Sequence, residues 1–164
     1  MSRIVFAEGA APDLPGANKV VLYAKTNGKL YSKDDAGIEC AISQDIWGIS
    51  HQIGDGISAI TTGYKGAVQI PFGCTIQRVD LFSTVSGSTV ISILKDTLSN
   101  LPLTGADNIC GSDKPSLSSA RTSTKVTFSG WTQNIAEKDY LGFNVDSTSG
   151  TITSLLVSVS GKKE

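Results

Sequence analysis

Histidine is almost missing from this chain. His51 is the single one in 164 residues, and the three cysteines, Cys40, Cys74 and Cys110, stand far apart with no Cys-x-x-Cys pair. Tetrahedral zinc sites need clustered cysteine and histidine at short spacings, so ligand supply argues against a metal centre. An odd thiol count in a chain without an export signal fits reduced cysteines, buried as small apolar residues, and assigns them no further role. Charge of one sign is also lacking: 14 basic residues face 15 acidic ones, for a formal net charge of −1. Such a balance offers neither a basic stripe for nucleic acid nor an acidic tail. No run approaches the roughly 18 apolar residues of a membrane helix, and Glu8 interrupts "MSRIVFAEGAAPD" where a secretory signal would continue its apolar stretch. The expectation is a soluble, unexported chain.

Catalytic machinery is equally sparse. Serine hydrolysis needs a base beside a nucleophile, and His51 sits in a Gly-rich stretch away from any nucleophile-elbow pattern, as an ordinary loop histidine would. Asp107, Asp113, Glu137 and Asp139 could supply paired carboxylates for glycoside hydrolysis, but their placement in or near loops fits solvated turn residues better. No phosphate-binding loop is present. "GISHQIGDG" lacks the preceding strand and following helix of a dinucleotide site. The chain is expected to be non-enzymatic and to carry no cofactor.

What the chain has is β-punctuation. In "VVLYAKTNGKLYSKDDAG" (Val20 to Gly37), Asn27-Gly28 is a strong hairpin signal, because both residues tolerate the positive φ of a two-residue type I′ turn. That turn sets Ala24 opposite Tyr31, Leu22 opposite Lys33, Tyr23 opposite Ser32 and Lys25 opposite Leu30, so each face of the ribbon mixes apolar with polar or basic groups. Asp34 to Gly37 offers a second turn, from which "IECAI" returns as a third strand. A ribbon of this size is marginal alone and needs a neighbour, either another chain or the domain that follows.

Residues 1–19, with Pro12, Pro15, Gly9 and Gly16, read as an extended arm; 20–42 as the hairpin or meander; 43–58, where Ile46, Trp47, Ile49 and Ile53 keep no steady period, as a linker. From 59 to 164 the pattern is strands between turns. The expected strands are 58–63, 65–71, 75–84, 88–96, 123–130, 139–145 and 151–160, with "TQNIA" as a possible eighth, and the alternation is clearest at Leu155, Val157 and Val159. The fold class is all-β: an N-terminal extended arm and β-hairpin, then an antiparallel β-sandwich, jelly-roll-like rather than immunoglobulin-like. The long excursion from Thr97 to Ser123 is expected to lie over an open end of the sandwich and is a candidate partner-binding surface.

The hairpin segment, through Leu22, Tyr23, Lys25, Gly28, Leu30, Tyr31, Lys33 and Asp34, resembles a Leu-Tyr-x-Lys-x-x-Gly-x-Leu-Tyr-x-Lys-Asp stretch that recurs in virion proteins of tailed bacteriophages behind a proline-glycine arm. "GYKGAVQIPFGCTIQRVDLFSTVSGSTVISILKD" and "SGWTQNIAEKDYLGFNVDS" are similar to a small β-domain of phage fibres and capsid appendages. The resemblance implies a non-enzymatic virion part, assembled in the host cytoplasm. Its partners would be its own copies, as a homotrimer, and the major capsid or another virion protein. Long repeats and coiled coils, the usual means of reaching outward, are absent from the sequence, which favours a capsid decoration or cement protein over a tail fibre. Leu22, Tyr23, Lys25, Leu30, Tyr31 and Lys33 are the expected attachment residues, with Trp47 as an interface anchor. A receptor- or carbohydrate-binding module is the alternative. For it Tyr64 and Trp131 are the candidate stacking rings, although Trp131, after Gly130 at a strand end, suits the sandwich edge.

Overall fold

The computed structural model describes residues 8–26, 28–42, 45–149 and 152–164, the side chain of Glu8 excepted. The chain is all-β and divides into two compact units, Met1–Asp45 and Ile46–Glu164.

The first unit is one four-stranded sheet in the order β1 (Glu8–Gly9), β2 (Val20–Lys25), β3 (Leu30–Asp34), β4 (Glu39–Ala41). β1 runs parallel to β2, and the other pairs are antiparallel. The β2–β3 register differs by one residue from the expected one: Tyr23 lies opposite Tyr31, Leu22 opposite Ser32 and Ala24 opposite Leu30. The cause is the length of the loop. Lys25 and Lys29 close a three-residue connection, with the Gly28 N–H bonded to Lys25 O at 3.0 Å and Gly28 at φ 75°, where a two-residue turn was expected. Asn27 itself lies outside the described residues. Because side chains alternate along a strand, a slip of one turns every side chain of β3 to the other face relative to β2. Both tyrosines share one side and Leu22 and Leu30 the opposite one, so the faces are sorted rather than mixed. The second turn closes through Gly37 N–H to Asp34 O at 3.1 Å, and β4 follows it.

The second unit is a curled, sandwich-like sheet in the order β5 (Ile46–Ile53), β11 (Leu155–Lys163), β7 (Cys74–Asp96), β10 (Tyr140–Ser149), β6 (Gly63–Gln69). β8 (Ser116–Lys125) and β9 (Asn134–Ile135) also pair with β7. The 23-residue β7 organises the unit. Its first half holds β11 on one side and the end of β8 on the other, as Val79 pairs with both Val159 and Lys125. Its second half holds β10 and the start of β8, as Thr89 pairs with both Thr148 and Leu117. The sequence suggested two strands, 75–84 and 88–96, joined by a Val85-Ser86-Gly87 turn. The backbone instead bends there without leaving the ladder, where Gly87 lets Ile152 approach so closely that a Cβ would meet its Cγ1 at 2.6 Å. Alternate residues from three strands fill the interior: Val79, Leu81, Ile91 and Ile93 of β7, Leu141, Phe143 and Val145 of β10, and Leu155, Val157 and Val159 of β11 are all essentially inaccessible.

Three further expectations change. Residues 46–53, read as linker, form β5 within the second unit; Trp47, Ile49, His51 and Ile53 point one way, and the period is hidden by apolar Ile46 on the outer side and by the polar His51 on the inner one. The stretch before Gly63, expected as a strand, is irregular, while the long excursion ends in β8. Before that, it lays Leu103 over Gly142 on the outer face of β10 and brings Ile109 beside Ile93, so it covers a sheet face and not an open end.

Candidate attachment surface

The residues singled out in the hairpin fall into two groups. On one face of the small sheet, Tyr23 and Tyr31 stack with ring centroids 6.0 Å apart, as their register demands. Lys25 places its ammonium 4.3 Å above the Tyr31 ring and 2.5 Å from Glu39 Oε2, while the Tyr23 hydroxyl donates to Glu39 Oε1 at 2.5 Å. Lys33 Nζ donates to Pro12 O at 2.8 Å, tying the arm to the sheet. The hydrogen bonds from Lys25 and then Tyr23 hold the Glu39 carboxyl below its ordinary range. The same carboxylate raises the Lys25 ammonium, and burial followed by the Glu39 bond raises the Tyr23 phenol. Tyr23, Lys25, Tyr31 and Lys33 are thus each bonded or stacked within the first unit.

Among the described residues, the opposite face shows no such lattice. Val20, Leu22, Ile38 and Ile42 are exposed at 63, 48, 61 and 47 %, with half-buried Leu30 among them. Cys40 is also exposed there, contrary to the expected burial of all three thiols. It sits on β4 at a position whose partner, Ser32, faces the same way as Leu22. Cys74 and Cys110 are buried, and desolvation pushes their thiols up to about 11 and about 12. Of the expected attachment residues, then, Leu22 and Leu30 lie on an apolar face, and Val20, Ile38 and Ile42 join them.

The aromatics outside the hairpin have structural places. Trp47 is 4 % exposed; its indole N–H donates to Thr75 O at 3.3 Å and its ring meets Phe72 edge-on at 6.5 Å, so it belongs to the core of the second unit and is no surface anchor. Trp131 packs against that core, edge-on to Phe128 at 4.8 Å, with its N–H donated to Asp113 O at 2.7 Å. Tyr64 covers Gly142. His51 lies in a strand, not a loop: its ring stacks on Phe143 at 4.8 Å, with Nε2 2.9 Å from Lys65 O.

The carboxylates are committed locally. Asp107 closes a capping box with Thr104, and Asp113 binds Lys125 Nζ at 2.6 Å and the Ser129 N–H at 3.1 Å. Asp139 accepts the Ala136 N–H at 2.9 Å, and Glu137 lies 3.5 Å from Lys138 Nζ. Among the described residues no group of three or more His, Cys, Asp or Glu could hold a metal ion, and no helix is long and apolar enough to cross a membrane. No protein-family model, no curated protein and no solved structure matches the chain.

Proposed function

We propose that the chain is a non-enzymatic structural protein of a tailed-phage virion, a capsid decoration or cement protein that attaches through its first unit and displays the second. The observation that carries this reading is the bare apolar face of Val20, Leu22, Ile38 and Ile42 on a single-layer sheet. A single-layer sheet of that size is marginally stable, and an exposed apolar patch on it marks a contact surface. The partners are the major capsid protein or another virion protein and further copies of the chain, with the homotrimer as the assembly that the hairpin resemblance implies. A cement protein that binds assembled shells and not free subunits shifts the equilibrium towards assembly by mass action, and several arms per oligomer multiply the effect.

Electron microscopy of purified virions labelled on this protein tests the reading. Label on the head shell is expected; label confined to the tail, or virions that lack the protein and keep full heat resistance but lose host adsorption, would replace it with the fibre or receptor-binding alternative.

A further inference from the structure

Where the long excursion meets the outer face of the second unit, it closes a polar cluster that the attachment reading does not use. Ser92 of β7 and Asn144 of β10 lie opposite each other in the ladder, and Asp146 sits in the irregularity between Val145 and Ser147. Lys114 reaches them from the excursion, next to Pro115, whose carbonyl takes the Ile91 N–H at 3.0 Å. Asp146 gathers all three: Oδ2 accepts from Lys114 Nζ at 2.7 Å and from the Ser92 hydroxyl at 2.7 Å, and Oδ1 accepts from Asn144 Nδ2 at 2.6 Å. Ser92 is buried, and most of the Lys114 and Asp146 side chains is covered.

One carboxylate thus holds a primary amine and a carboxamide side by side. An ion pair needs only the first. In the unit's other pairs the carboxylate's further partner is of another kind: Asp113 takes the Ser129 N–H, Asp139 the Ala136 N–H and Asp80 the Thr124 hydroxyl. A carboxamide carbon is an acyl centre, an amine is its nucleophile, and a carboxylate that touches both carries protons between them. Burial pushes the Asp146 carboxyl up, but the bonds from Lys114, Ser92 and Asn144 outweigh it and hold the group below its ordinary range. It is therefore ionised at neutral pH and able to act as a base.

We propose that Lys114 and Asn144 join in an intramolecular isopeptide bond, with Asp146 carrying the protons. Rotation of the flexible lysine stem brings Nζ to the roughly 3–3.5 Å of a reacting pair. Asp146 Oδ2 takes one proton from the ammonium, the neutral amine adds to Asn144 Cγ, and the protonated carboxyl passes that proton to the departing amide nitrogen. The Cγ–Nδ2 bond breaks once Cγ–Nζ has formed, the second proton lost by Nζ leaves with the ammonia as ammonium, and Asp146 ends as the carboxylate it began as. No oxidant or further reagent enters. The bond ties the excursion to β10, involves no residue of the first unit, and stands whether or not the attachment reading does.

The test is the intact mass of the purified full chain, folded and then held at mildly alkaline pH to raise the share of neutral amine. The parent is expected to lie about 17 Da, one ammonia, below the mass of its sequence, and its digest should contain a branched peptide joining Lys114 to Asn144. Lys114→Arg, Asn144→Ala and Asp146→Ala should each keep the full mass. Lys114→Arg, which retains the positive charge beside Asp146, should also melt about 10 °C below the parent, the scale of a lost cross-link. Four results would overturn the proposal: a folded parent of full mass, an ammonia loss that persists in Lys114→Arg, a Lys114 to Asn144 bond that still forms in Asp146→Ala, or a loss that maps instead to Asn27-Gly28, where cyclisation of asparagine on the next backbone nitrogen also releases ammonia.

Discussion

The two β units of this chain differ in what stands behind their sheets. In the second, the curl of β7 brings the inner faces of its partners together, and Phe143, Ile91, Ile93, Leu141 and Leu155 are shut from solvent entirely. In the first, Tyr23 is the only large apolar side chain among the described residues to reach comparable burial, and it does so in a polar-aromatic lattice with Glu39, Lys25 and Tyr31. Burial of apolar area is the main favourable term in folding, at roughly 25 cal/mol per Å², so the second unit carries its own stability and the first has little to draw on. The contrast teaches where each unit's specificity comes from: side-chain volume in one, turn length and a few charged contacts in the other. It also explains why apolar residues sit outside in the first unit, where they have no core to enter.

The largest break in this comparison comes from truncating a side chain in each unit. Phe143→Ala and Trp47→Ala are each expected to cost about 3–5 kcal/mol, the range for large aromatic residues removed from a core. Leu22→Ala, at an exposed position, should fall within about 0.5 kcal/mol. Urea denaturation monitored by tryptophan fluorescence for Phe143→Ala and by circular dichroism for Trp47→Ala, with amide protection in β2 and β3 for Leu22→Ala, measures all three; a small effect at Trp47 would return it to the surface.

A smaller effect follows pH. The folded-state value of Glu39 is depressed, so its pairing with Lys25 and Tyr23 contributes stability above the ordinary carboxylate value of 4.5, and that contribution fades as pH falls through the depressed value. Lys25 and Tyr23 are raised, so their part persists below their ordinary values of 10.5 and 10.0 and is lost as pH climbs through the raised ones. Amide protection factors in β2 and β3, corrected for the intrinsic pH dependence of exchange, should therefore fall at both extremes, beginning before those in β7 and β10 do. Glu39→Gln should abolish the acid limb. Simultaneous loss of protection in both units would show that they unfold as one.

The smallest expected effect concerns the thiols. Cys40 should react with a thiol reagent at neutral pH, while Cys74 and Cys110, buried and with thiols raised to about 11 and about 12, react only on unfolding. Counting labelled cysteines by mass spectrometry checks this, and Cys40→Ser should leave stability unchanged.

Much of the second unit could be read in advance, because Leu155, Val157 and Val159 or Val79 and Leu81 alternate in a way that only a half-buried strand explains. Its topology could not. Whether Val85-Ser86-Gly87 turns back or merely bends depends on β10 and β11 lying along both halves of β7, which is long-range information. β5 was hidden because His51 occupies an inward position by stacking on Phe143, a contact that no local pattern announces. In the hairpin the turn was legible and its length was not, and that one residue decided which side chains face out: the rings drew attention in the sequence, but the open face belongs to Leu22, Val20, Ile38 and Ile42.

The central claim, that the first unit attaches the chain through that open face while the second stands independently, is tested most directly by the double variant Leu22→Lys/Ile38→Lys. Both positions are exposed, so the charges enter no core. Virions assembled with the double variant as the only form of the protein, purified and quantified by mass spectrometry, are expected to carry less than about a tenth of the parent's occupancy, as a desolvated charge at a contact costs several kcal/mol. The free variant should melt at the parent's temperature. Full occupancy on the virion with both lysines in place would contradict the account.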